Sequence, residues 1–209
     1  MKKIKIVLLS VLLVSSIGVK SAEVMVEGGI QAPLGLKWGE SKDELVKKYS
    51  ASPADKNNSR LSLYALNNPP IKVPGFESYY GVVDEKYGLV KVIVVESITD
   101  DAYGSKGIED YKKLSAILSK KYGNPSDKFE YSGKELYKES DEFYQCLAYQ
   151  GCGAYSSYYK PSGGAMISLE LKGKSRGQGY LTINYESTLF NKVLTERDSD
   201  TKEKAEQGL

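Results

Sequence analysis

Two stretches near the C-terminal end alternate strictly between apolar and polar residues, and they limit the fold more than any other feature of the chain. In 165–172, Ala165, Ile167, Leu169 and Leu171 face one way while Met166, Ser168, Glu170 and Lys172 face the other. In 180–186, Leu181, Ile183 and Tyr185 oppose Tyr180, Thr182, Asn184 and Glu186. Successive side chains of a strand point to opposite sides, so these are strands with one buried and one wet face. Upstream, Ile108, Tyr111, Leu114, Leu118 and Tyr122 recur at helical spacing, with Ile117 beside them. Lys120-Lys121 sit in the last turn, Gly123 suits a left-handed C-terminal position, and Pro125 blocks continuation. Helix and antiparallel sheet are therefore expected side by side.

The same order occurs earlier. Ser41-Lys42-Asp43-Glu44 is a capping box, opening a helix whose buried stripe is expected from Leu45, Val46 and Tyr49. Strand-like stretches follow at 61–66, 76–83 and 89–96, the last two joined by the turn Asp84-Glu85-Lys86-Tyr87-Gly88. In 89–96, Val90, Val92 and Val94 share one face and Leu89, Ile93 and Val95 the other, which predicts a strand covered on both sides. After the second helix, strands are expected near 143–149 and 154–159, ahead of the two alternating ones. The final strand of each unit ends in Glu-Ser, at Glu96-Ser97 and Glu186-Ser187. The predicted fold is α+β, with one helix-plus-antiparallel-sheet unit over 23–104 and another over 105–190, an order that an internal duplication would produce. Residues 191–209 turn charged and apolar-poor and are expected to form a flexible tail or frayed helix.

Residues 1–22 have the layout of a secretory signal peptide: Met1-Lys2-Lys3-Ile4-Lys5, an apolar run from Ile6 to about Val19, then Ser21 and Ala22. Cleavage after Ser21, with Val19 at the −3 position, fits the small-residue rule slightly better than cleavage after Ala22. The apolar run is short for a membrane span, and no cysteine stands near the junction to carry a lipid. The 29 basic residues lose four lysines with this leader, leaving 25 against 27 acidic ones. That balance gives nucleic-acid binding no electrostatic support. A periplasmic or secreted location is expected. In such an oxidising compartment Cys146 and Cys152 read as a disulfide closing a loop of five intervening residues. With no histidine and no third cysteine, no metal site and no cofactor are expected.

The segment Gly35-Leu36-Lys37-Trp38-Gly39-Glu40-Ser41, continuing into the first helix to Tyr49, resembles the opening of helix-plus-antiparallel-sheet modules of secreted bacterial proteins. The outer-membrane assembly lipoprotein BamE and the β-lactamase inhibitor protein family are examples. In those families the module binds another protein and carries no catalysis, which is what the resemblance implies here. This chain lacks the lipid-anchor cysteine of the assembly lipoproteins, and only its second half carries a cysteine pair.

Chemistry-bearing patterns are few. The absence of histidine removes Ser-His-Asp and Cys-His catalysis. Ser157 with Lys160, and Ser199 with Lys202, fit the S-x-x-K spacing in which a lysine activates a serine. A cell-wall hydrolase using carboxylates or the Ser157/Lys160 pair is the alternative function. The loop 172–179 is basic and glycine-rich, and Lys174 and Arg176 could meet an anion or a partner. Among 17 tyrosines, seven fall between Tyr131 and Tyr159. Tyrosine offers large area, few torsions and a polar tip, so Tyr155, Tyr158 and Tyr159 are candidate contact residues with Lys174 and Arg176. Adjacent residues of a strand point to opposite faces, so one of Tyr158/Tyr159 and one of Tyr79/Tyr80 is expected at the surface. The chain is read as a non-catalytic binding protein of the bacterial envelope, with an inhibitor as a special case. Its partner is expected to be another envelope or secreted protein or a cell-wall glycan.

Overall fold

A computed structural model describes residues 29–55, 60–133 and 136–208; the leader-like segment 1–22 lies outside the described residues. The first helix, α1 (Lys42–Tyr49), begins where the capping box predicts. Ser41 Oγ accepts from the Glu44 amide and the Glu44 carboxylate accepts from the Ser41 amide. It ends at Ser50, which takes a left-handed conformation. Leu45 and Tyr49 are buried as expected, but Val46 points outward and is 47 % exposed.

Four strands follow: β1 (Ser52–Pro53), β2 (Leu61–Ala65), β3 (Ser78–Asp84) and β4 (Gly88–Ile98). Then comes α2 (Ser105–Tyr122), with Tyr111 and Leu118 buried, Ile108, Leu114 and Tyr122 packed at the core edge, and Ile117 exposed. The second set of strands is β5 (Asp127–Tyr131), β6 (Ala154–Tyr159), β7 (Met166–Ser175) and β8 (Gln178–Glu186), with a short helix, α3 (Phe143–Ala148), between β5 and β6. All eight form one sheet in the order β1-β2-β3-β4-β8-β7-β6-β5, every neighbouring pair antiparallel. The two units meet along β4 and β8, paired from Lys91–Glu186 to Ile98–Gly179. A single apolar core runs through both units and includes Leu45, Val92, Val94, Leu169 and Ile183.

Segment 143–149, expected to be a strand, is the helix α3. The reason lies elsewhere in the sequence. Gly173 and Gly179 are cross-strand partners in β7 and β8. A Cβ on Gly173 would collide with the Tyr144 carbonyl, and one on Gly179 with the Tyr144 ring. The glycine pair is a seat into which α3 sinks, and no property local to 143–149 reveals it. Tyr144 is fully buried there and its hydroxyl donates to Asp101 Oδ2 at 2.7 Å. The Cys146–Cys152 disulfide, both residues fully buried, ties α3 to the start of β6. Closing so short a loop contributes about 2 kcal/mol in the chain-entropy view.

The segment read as a tail forms α4 (Thr188–Gly208). The Ser187 amide and hydroxyl both donate to the Val90 carbonyl, and Val193 is fully buried. Glu196 accepts from Arg60 at 2.6 Å, Lys86 at 3.1 Å and the Tyr87 hydroxyl at 2.6 Å. Beyond this point α4 is exposed.

Candidate functional site

The helices divide the sheet into unlike faces. Tyr155, Ser157 and Tyr159 of β6, the odd-numbered apolar residues of β7 and β8, and Val92 and Val94 of β4 lie on the side covered by α1, α2 and α3. The opposite side carries Tyr80, Val82, Lys91, Ile93, Val95, Tyr180, Asn184 and Tyr158. The start of α4 touches this side at one end, where the Lys91 ammonium lies 5.2 Å from the Phe190 ring. Among the described residues no other helix reaches it. The expectation that strand 89–96 is covered on both sides is therefore corrected. Val90, Val92 and Val94 are buried, whereas Ile93 and Val95 stand on the open side and are half-buried. Leu89 is buried too, because a register shift at Val82/Val83 brings the strand around it.

The open face has two zones. On the first unit it is aliphatic, with Leu61 and Leu63 of β2 followed across the sheet by Val82, Ile93 and Val95. On the second unit it is polar and knitted together. Asn184 Nδ2 donates to Ser168 Oγ at 3.0 Å, Ser168 Oγ to Glu170 at 3.4 Å, and Lys172 is ion-paired with Glu170. Across the seam, Lys91 and Glu186 pair at 2.7 Å. At the outer margin the Phe129 and Tyr158 rings meet edge to face, 6.5 Å between centroids.

Where the two zones meet, at one end of the seam, the face sinks into a hollow of ≈ 480 Å³. Tyr80 and Tyr180 line it with Ser78, Val95, Ser97, Thr99 and Gln178, and Lys174 stands at its rim. Among the described residues Lys174 has no carboxylate partner. Two aromatic rings, several hydroxyl groups and one unpaired cation make a cleft that can accept an inserted side chain. A second hollow of ≈ 460 Å³ lies beside the N-terminus of α1, between Ser41, Asp43, Tyr64 and Tyr87. It borders the Arg60–Asp84 pair, 2.6 Å apart, whose other partner is Glu196. These charges are committed to one another and to α4.

The candidate residues read from the sequence are separated by this geometry. Tyr158 is on the open face. Tyr159 is fully buried, its hydroxyl donating to the Ser115 carbonyl at 3.0 Å, so it is core and cannot meet a partner. Tyr155 lies under the helices, edge to face with Tyr111 at 5.7 Å and Phe143 at 5.4 Å, and burial pushes its phenol pKa up. Lys174 borders the hollow, whereas Arg176 is spent on an ion pair with Asp141. Tyr79 is buried and Tyr80 is on the open side, the split that alternation requires.

The Ser157/Lys160 pair is not assembled. Ser157 is fully buried, its hydroxyl 2.7 Å from that of Tyr111, while Lys160 is exposed and pairs with Asp127 at 3.4 Å. Burial raises the Tyr111 phenol to about 12, so it stays protonated beside Ser157. Ser199 bonds the Thr195 carbonyl on the exposed part of α4, and Lys202 pairs with Glu206. Among the described residues no cluster of three or more acidic, cysteine or histidine side chains is arranged to hold a metal ion, and no helix is long and apolar enough to cross a membrane.

The Tyr80–Tyr180 hollow escaped the sequence reading. Tyr180 was legible as part of a wet strand face, but the pairing of β4 with β8 that brings it beside Tyr80 was not. No family model, no curated protein and no solved structure matches this chain, and the reading of the site rests on its geometry.

Proposed function

We propose that this chain is an exported, non-catalytic binding protein that docks another envelope or secreted protein on the open face of its sheet. The observation that carries the reading is the part of this face that no described helix covers, which joins an aliphatic zone to a hollow flanked by Tyr80 and Tyr180. Rigid tyrosines around a desolvated depression are the residue type on which binding energy concentrates. A protein partner fits better than a glycan. Sugar hydroxyls laid over Leu63, Val82 and Ile93 would lose water without gaining hydrogen bonds, whereas apolar side chains would gain burial. The leader-like residues 1–22 and the disulfide support export. The resemblance to secreted helix-plus-antiparallel-sheet modules supports protein binding, with inhibition of the partner as one form of it.

The test is affinity capture from envelope extract and culture medium with the oxidised protein, comparing wild type with Tyr80→Ala and Tyr180→Ala. A partner retained by wild type should be bound about 1–3 kcal/mol more weakly by each variant, the range of an interfacial hot spot. A partner that binds both variants as tightly as wild type would place the contact surface elsewhere. Binding of isolated cell-wall glycan in place of any protein would overturn the choice of partner.

A further inference from the structure

The sheet has two edges of different character. One is β1, two residues long and containing Pro53, which cannot donate to a further ladder. The other is β5, five residues long, with Asp127 to Glu130 all exposed. Hydrogen-bonding directions on β5 follow from the ladder. The Ser187 amide bonds the Val90 carbonyl, and alternation carried across β8, β7 and β6 makes Asp127, Phe129 and Tyr131 the residues bonded to β6. The Tyr158 carbonyl, which accepts from the Ser126 amide just before β5, faces β5 as that phase requires. The backbone N–H and C=O of Lys128 and Glu130 therefore point away from the sheet. Among the described residues none of these four groups has a hydrogen-bond partner. Past β5, the Gly133 amide donates to Cys146 Sγ and turns the chain toward the helical side.

We infer that β5 is a self-association edge, on which a second copy of this chain pairs antiparallel about a two-fold axis at Phe129. In that register Lys128 of each copy lies opposite Glu130 of the other, and both are the outward-bonding residues, so each Lys128–Glu130 pair exchanges two backbone hydrogen bonds. Phe129 falls opposite its own counterpart in the closer, non-hydrogen-bonded position. There its ring, 46 % exposed in the single chain, is covered. The charges decide the partner. Lysine and glutamate on an edge deter most strands, but here they are ordered so that this strand complements itself. Within one chain Lys128 and Glu130 already pair at 2.7 Å, and across the axis the four charges alternate in sign. The paired sheets would share one continuous open face, and β1 would remain outermost. A five-residue edge buries little area, so the association is weak and concentration-dependent.

Sedimentation velocity of the oxidised protein over a range of concentrations tests this. Wild type should pass from monomer to dimer, and Lys128→Glu and Glu130→Lys should each weaken the dimer at least about tenfold by setting like charges opposite one another. Mixing the two single variants should restore association as a heterodimer, resolved by native mass spectrometry. The double exchange Lys128→Glu with Glu130→Lys should dimerise like wild type. That variant keeps the intrachain pair and guards against a single variant that folds poorly. A wild type that stays monomeric throughout, single variants that associate as wild type does, or a mixture that fails to recover a heterodimer would each overturn the inference. None of these outcomes bears on partner binding by the Tyr80–Tyr180 hollow, which is read out separately.

Discussion

The two faces of the sheet are built from the same strands, and neighbouring residues on one strand have opposite fates. On β6, Tyr159 points under α2, loses all contact with solvent and spends its hydroxyl on the Ser115 carbonyl. Tyr158, one residue earlier, stands on the open side against Phe129. On β3 the same division separates buried Tyr79, whose hydroxyl donates to the Phe76 carbonyl at 2.8 Å, from Tyr80 in the hollow. Side-chain chemistry is identical in each pair. The covered face uses tyrosine as a large apolar filler with one satisfied polar atom, and the open face leaves it available for contact. A tyrosine-rich sequence is thus weak testimony to binding until the face is known.

The sharpest way to break this comparison is to truncate both members of one pair. Tyr159→Ala should destabilise the protein by about 3–5 kcal/mol, the cost of removing a large buried ring and leaving its cavity. Tyr158→Ala should cost less than about 1 kcal/mol. Chemical denaturation of both variants measures the difference, and equal losses would mean that the open face is covered by something that stabilises the fold.

The disulfide sharpens the covered side. Replacing Cys146 and Cys152 together by alanine should lower stability by about 2 kcal/mol, while the wild-type protein shows no reactive thiol until it is unfolded and reduced. Full thiol reactivity in the native protein would contradict the Cys146–Cys152 bond.

The smallest effect concerns α4, which touches only one end of the open face. The Tyr87 hydroxyl, Arg60 and Lys86 hold the Glu196 carboxyl at a pKa of about 2, below its ordinary value of 4.5. A depressed carboxyl stabilises the fold fully above its unfolded pKa and progressively less as pH falls toward the folded one. Melting temperature should therefore decline between pH about 4.5 and 2, and Glu196→Gln should flatten part of that decline. Glu44, drawn down to about 2 chiefly by Lys48, supplies another part. A pH profile unchanged by Glu196→Gln would show that the carboxylate does not anchor α4.

Local signals were legible in the sequence wherever the cause was local. The capping box at Ser41–Glu44, the stripe of α2 and the alternation of 165–172 and 180–186 each lie within a few residues of the structure they specify. The α3 helix was not legible, because a glycine pair some thirty residues away makes its seat. Nor was the open side of β4. Ile93 and Val95 are as apolar as Val92 and Val94, and apolar character alone does not tell a covered residue from one on the open side. Of the candidate contact residues, alternation showed that Tyr158 and Tyr159 must part, but the direction of the split depends on which side α2 lands.

The seam between β4 and β8 also governs when the molecule can form. Its strands are separated by most of a unit in sequence, so their pairing raises the contact order and belongs among the slow steps of folding. While the chain is still emerging, β4 has only β3 beside it, and its valine-rich edge has no partner until β8 arrives last. Such an edge, waiting on the final strand of the sheet, holds the polypeptide in an incompletely folded state through synthesis. The same waiting period exposes the edge to other strands, so crowding during folding is the circumstance in which this protein is most vulnerable to aggregation.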